Sequence, residues 1–120
     1  MFMPLSRAEV YFVKLGPTRG RELDRKRRPV VVVSINAINS KPLVVTVIPG
    51  KTHNPGQMVY DNEVLVEPSP TKGLRNPTLF ECFQIKALDH SRFDQGPAGV
   101  LSSEDMARIE DGMRLCLGLS

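Results

Sequence analysis

The side chains best able to do chemistry gather in two short stretches. Between positions 14 and 28 stand Lys14, Arg19, Arg21, Arg25, Lys26, Arg27 and Arg28, offset only by Glu22 and Asp24. Seven basic residues against two acidic ones give that stretch +5 in a chain whose formal charge is +3, so the remainder is slightly acidic. A basic stretch in a nearly neutral protein points to a polyanion site, or else to a solvated loop that keeps the chain soluble. The second stretch is Pro49-Gly50-Lys51-Thr52-His53. Gly50-Lys51-Thr52 ends like a phosphate-binding loop. That motif also needs a glycine five residues before Gly50, where Val45 stands, and a helix afterward, which Asn54-Pro55-Gly56 forbids. The phosphate-loop reading is therefore rejected, and Lys51, Thr52 and His53 remain as polar groups following an apolar run.

Other catalytic frameworks are missing from the sequence. There is no Gly-x-Ser-x-Gly elbow, no pair of histidines at metal spacing and no close set of carboxylates. Cys82 and Cys116 are far apart in sequence and, with only His53 and His90 besides, do not compose a zinc site. Two free thiols are expected rather than a disulfide. Chemistry is left to arginine, carboxylate, hydroxyl or a single histidine. That inventory suits cleavage of RNA without a metal or other cofactor. The ribose 2′-OH supplies the nucleophile, so the protein need bring only a base, an acid and a cation for the charge growing on phosphorus. Arginine fits the last role because its planar fork pairs two phosphate oxygens at once.

The elements that must position these groups read as short strands and one closing helix. The 120 residues suffice for one domain, 1–120, with a single core. No apolar run approaches the roughly 20 residues of a membrane helix, and the first residues lack the pattern of a signal peptide, so a cytoplasmic location is expected. Residues 10–15 form a β-rich run stopped by Gly16-Pro17. Pro29 opens a second strand, whose Val30-Val31-Val32-Val33 suits burial on both faces. Residues 36–40 make a turn or one helical turn. A third strand, 43–48, is closed by Pro49-Gly50, with a loop over 51–57. Residues 58–67 read as a strand interrupted near Asp61-Asn62, and 78–86 as a fifth strand, with Ala87-Leu88 opening a short sixth. Ser102 and Asp105 fit a capping box ahead of Met106, Ile109, Met113 and Cys116 at helical spacing, with Gly118 as the stop. One terminal helix on a strongly bent antiparallel sheet gives a small barrel with helical additions.

Taken together, these segments resemble the MazF/PemK family of toxins. The similarity is carried by Ala8-Glu9-Val10-Tyr11-Phe12-Val13 and by Gly16-Pro17-Thr18-Arg19-Gly20-Arg21-Glu22. It continues through Arg28-Pro29 with its valine run, the block from Cys82-Phe83-Gln84 to Asp89-His90-Ser91-Arg92, and the terminal helix. The resemblance implies a mainly β, SH3-like barrel of the CcdB/Kid/MazF type with short helices and a C-terminal helix. It also implies a homodimer, an acidic antitoxin as partner, and endoribonuclease cleavage of single-stranded RNA at a short sequence. Carried over by residue, the catalytic groups are Arg28, Glu22 and a threonine that falls on Lys51 or Thr52, with Thr52 preferred. RNA would be held by Arg19, Arg21, Lys26, Arg27, Lys51, His53, Gln84 and Lys86. Phe83 stands where many relatives have Asp, Glu81 where some have Arg, and Lys86 where another arginine is common. Phe83 cannot act as acid or base; on a strand it belongs to the core, the other reading being a platform for stacking a base. Two further functions suit the same barrel: a CcdB-like inhibitor of DNA gyrase, and an inactive barrel that still binds RNA or antitoxin.

Overall fold

The structure, a computed structural model, describes residues 4–16, 26–41 and 43–120. Among them seven strands form one strongly bent antiparallel sheet, a half-barrel with short helical pieces and a C-terminal helix. The strands are β1 (Glu9–Val13), β2 (Arg28–Val32), β3 (Val44–Thr52), β4 (Glu63–Val66), β5 (Thr78–Glu81), β6 (Lys86–Asp89) and β7 (Gly99–Val100). Their order is β4-β5-β3-β2-β1-β7, with β6 beside the first half of β3. A single helical turn, α1 (Asn36–Asn39), links β2 to β3.

Two apolar clusters lie on opposite faces of the sheet. Val10, Val31 and Ile48 point to one, with Val64, Val66 and Phe80; Tyr11, Val13, Val30, Val32, Val45 and Val47 point to the other. Adjacent strand residues face opposite ways, so the unbroken valine run of β2 feeds both clusters, as its composition predicts. The helix α2 (Ser103–Leu117) covers the first cluster with Met106 and Ile109, while Met113 and Cys116 pack at its margin. Ser102 Oγ accepts from the Asp105 N–H at 3.1 Å, and Gly118 ends the helix at φ 67°. Only half of the expected capping box is present. The Asp105 carboxylate turns instead to Lys72 and Arg108, each at 2.7 Å.

The sequence misplaces three stretches. β3 does not stop at Pro49-Gly50 but runs through to Thr52, so Lys51 and Thr52 stand on a strand rather than in a loop. On one edge its pairing with β6 ends at Val47↔Lys86 and its pairing with β5 starts at Gly50↔Phe80. Pro49 falls in the gap between the two partners, where no ladder asks it for an N–H. The expected strand over 78–86 is correspondingly two strands. From Gly50 back to Val47 β3 spans three steps while its partner spans six, from Phe80 to Lys86, and the surplus is the 3-10 turn Cys82–Gln84. Phe83, on that turn, is 47% exposed and not a core residue. Residues 58–60 are also not a strand. Tyr60 and Glu63 close a turn through the Tyr60 N–H to Glu63 Oε1 (3.0 Å) and the Glu63 N–H to the Tyr60 carbonyl (3.0 Å). Cys82 and Cys116 are both free thiols, and burial pushes Cys82 up to about 11.

Candidate active site

The polar end of the sheet follows from strand register. Val30 lies opposite Pro49, so one pleat further out on the same face stand Arg28 and Lys51. Across the other edge of β3, Lys51 lies opposite Leu79, and Glu81 opposite Glu63. Both carboxylates therefore join that face. Where the valines of the second cluster run out, the sheet ends in Arg28, Lys51, Glu81 and Glu63. Lys51 Nζ is 3.5 Å from Glu81 and 3.9 Å from Glu63, whose side chain is 6% exposed.

Two grooves meet here and share Arg28, Gly50 and Lys51. The first, about 490 Å³, is walled by Lys26, Arg27, Thr52 and Thr78, and by Arg75 and Asn76 of the β4–β5 loop. The second, about 400 Å³, adds Leu15, Glu81, Gln84 and Lys86. Gly50 floors both. A Cβ there would lie 2.7 Å from Thr78 Cγ2 and 3.1 Å from the Phe80 ring, so the bare backbone lets β5 close on β3.

Arg28 is placed by the backbone around it. It opens β2 opposite Val13, and the Pro29 ring biases its backbone toward extension. The side chain is half-buried, and among the described residues its guanidinium makes no ion pair or hydrogen bond. Arg27 differs. It grips Asp94 with two bonds of 2.8 and 3.0 Å and reaches the Phe12 carbonyl at 3.3 Å. That grip holds the Asp94 carboxyl below the usual carboxylate range. Arg27 thus borders the groove while its charge is engaged at the rim.

Seven of the eleven expected site residues line the two grooves: Lys26, Arg27, Arg28, Lys51, Thr52, Gln84 and Lys86. His53 does not. Its N–H donates to the Pro77 carbonyl at 2.8 Å, and its ring Nε2 lies 2.9 Å from the Gln57 carbonyl. Arg19, Arg21 and Glu22 lie outside the described residues. Arg75, Asn76 and Thr78 carry no local sequence signal, because only the long-range pairing Thr52↔Thr78 brings their loop to the site. In sequence Glu81 marks a departure from relatives, and no local pattern attaches a role to it. Among the described residues no three His, Cys, Asp or Glu side chains converge as metal ligands.

The fold is that of MazF-type proteins. MazF from Deinococcus radiodurans superposes with a TM-score of 0.75 at 18% identity, covering 98% of this chain and 100% of that one. An endoribonuclease from a mycobacterial species, solved with its cognate antitoxin, gives 0.74 at 21% identity over 97% of each chain. In sequence, residues 6–117 match the family described as the PemK-like, MazF-like toxin of type II toxin–antitoxin system. Endoribonuclease MazF9 of Mycobacterium tuberculosis is 32% identical, covering 96% of this chain and 98% of its own. The chain belongs to the PemK-like, MazF-like toxins of type II toxin–antitoxin systems.

Proposed function

We propose that the protein is a metal-independent endoribonuclease that cuts single-stranded RNA at a short sequence. The single observation that carries the proposal is the groove in which Arg28, Lys51 and Thr52 converge on a fixed sheet end. In this reading the ribose 2′-oxygen attacks the adjacent phosphorus, and Arg28 meets two of the phosphate oxygens as charge builds on them. The Thr52 hydroxyl, exposed at the end of β3, orients the phosphate by a hydrogen bond. Lys26 and Lys86 stand along the two grooves as point charges for neighbouring phosphates. The mycobacterial relative solved with an antitoxin supports a like partner here, an acidic segment that occupies the same groove and competes for its positive field. The protein is also read as a homodimer.

Incubation of a defined single-stranded RNA with and without EDTA, resolved on a denaturing gel, tests the proposal. Discrete fragments, unchanged by EDTA, are expected. Intact RNA would reject the nuclease reading, and fragments that vanish with EDTA would reject the metal-free chemistry.

A further inference from the structure

The groove contains a negative charge where a polyanion is to bind. Among the described residues lining either groove, Glu81 is the sole carboxylate. Lys51 does not cancel it, because one ammonium stands between two carboxylates, Glu81 at 3.5 Å and Glu63 at 3.9 Å. Glu63 is the inner member, buried, with Oε1 accepting from the Tyr60 N–H at 3.0 Å. Glu81 is the outer member, its side chain 17% exposed and bordering the groove beside Arg28. A carboxylate left facing phosphates weakens RNA binding by like-charge repulsion, so its presence calls for a compensating task. Phe83 is no substitute, since it borders a different groove with Tyr60, Leu115 and Leu117.

We infer that Glu81 is the proton acceptor of the cleavage reaction, held in place by Lys51; the inference rests on the ribonuclease reading above. The 2′-OH gives its proton to a Glu81 carboxylate oxygen as the 2′-oxygen bonds to phosphorus. The bond from phosphorus to the 5′-oxygen breaks, and that oxygen takes a proton from water. Glu81 then returns its proton to solvent, leaving a 2′,3′-cyclic phosphate and a 5′-hydroxyl. The rigid root of Glu81, at the end of β5 and opposite Glu63, suits a group that must meet a proton without reorganising.

Single-turnover cleavage of one single-stranded RNA across acidic to neutral pH tests this with wild type, Glu81→Gln, Glu81→Asp and Glu63→Gln, and RNA binding is followed by fluorescence anisotropy. Glu81→Gln should bind RNA as tightly as wild type or more tightly. It should cut roughly a hundredfold or more slowly, and lose the rise in rate with pH that ionisation of a general base produces. Glu81→Asp should recover part of the rate together with that rise, and Glu63→Gln should keep the rise. Glu81→Gln cutting with the wild-type rate or pH dependence would overturn the inference. If Glu81→Gln binds RNA poorly, Glu81→Asp decides, and an absent rise in that variant overturns the inference too. A wild-type protein that leaves RNA intact removes the ribonuclease reading itself, and this inference with it.

Discussion

Arg28 and Lys51 occupy equivalent strand positions, yet the structure equips them for different work. Lys51 is committed to two carboxylates, whereas the Arg28 guanidinium meets no partner among the described residues. Arg28→Lys should therefore leave the fold and much RNA affinity intact and lose on the order of a hundredfold in cleavage, because lysine cannot make the two-point contact. Circular dichroism and single-turnover rates check this, and a folded variant that cuts at the wild-type rate would remove Arg28 from the chemistry. Thr52→Ala should also slow cleavage, while Lys26→Ala should chiefly weaken binding. Lys51→Met should lower stability, by roughly 1–3 kcal/mol, because it leaves buried Glu63 without its cation, and should also slow cleavage because it releases Glu81; urea denaturation and single-turnover rates read the two effects. The difference between the two cations was not legible in sequence. Arg28 announced itself by ending a basic stretch before Pro29, and Lys51 and Thr52 by following an apolar run. That Lys51 serves two glutamates depends on strand pairings 12 and 30 residues away along the chain, which no local pattern encodes.

The elements were easier to find than to delimit. The valine run of β2 and the spacing of Met106 and Ile109 in α2 identified both because burial imprints its period on sequence. β3 was cut short because proline and glycine are read as strand ends, while here they sit where its neighbour changes from β6 to β5. Phe83 reads as a core residue on a strand, yet the chain turns there and leaves it exposed. Gly112 gave no sequence signal at all, although it sets how closely α2 lies on the turn at Cys82. A Cβ at Gly112 would fall 2.5 Å from Cys82 Sγ. Gly112→Ala should thus destabilise the protein by about 1–3 kcal/mol from overpacking, although alanine favours a helix interior by up to about 1 kcal/mol over glycine. An unchanged urea midpoint would show that α2 does not need this close approach. The same helix is tied to the β4–β5 loop by Asp105. Burial raises the Asp105 carboxyl, but hydrogen bonds from Lys72, Arg108 and Ser102 outweigh it and hold the group below its ordinary value. A depressed folded-state pKa means stability that is fully present above about pH 4 and lost as pH falls through the folded value. Asp105→Asn should be less stable than wild type at neutral pH, with the gap narrowing in acid; a gap that stays constant with pH would contradict this linkage.

At the scale of the molecule, two surfaces of different character stand side by side. Cations of the site border two grooves, whereas Tyr60, Phe83, Leu115 and Leu117 together line a third groove of about 410 Å³, each at least 47% exposed. A second copy of the chain is the occupant predicted for that apolar groove, in keeping with the homodimer proposed above. Sedimentation equilibrium at micromolar concentration should give twice the 13.4 kDa of one chain, and Leu117→Asp should shift it toward the monomer. A single-chain mass for wild type would contradict the dimer. RNA and an acidic antitoxin segment should both bind less tightly as salt rises from low to physiological strength, since both meet the same cations. Attack by the substrate's own 2′-oxygen in the Arg28 groove is open to a direct comparison of a cleavable RNA oligonucleotide with the same oligonucleotide carrying one 2′-deoxyribose at the scissile position. The all-ribose strand should be cut, with EDTA present, to a 2′,3′-cyclic phosphate and a 5′-hydroxyl, and the substituted strand should stay whole at that bond. Cleavage of the substituted strand at the same bond would contradict it.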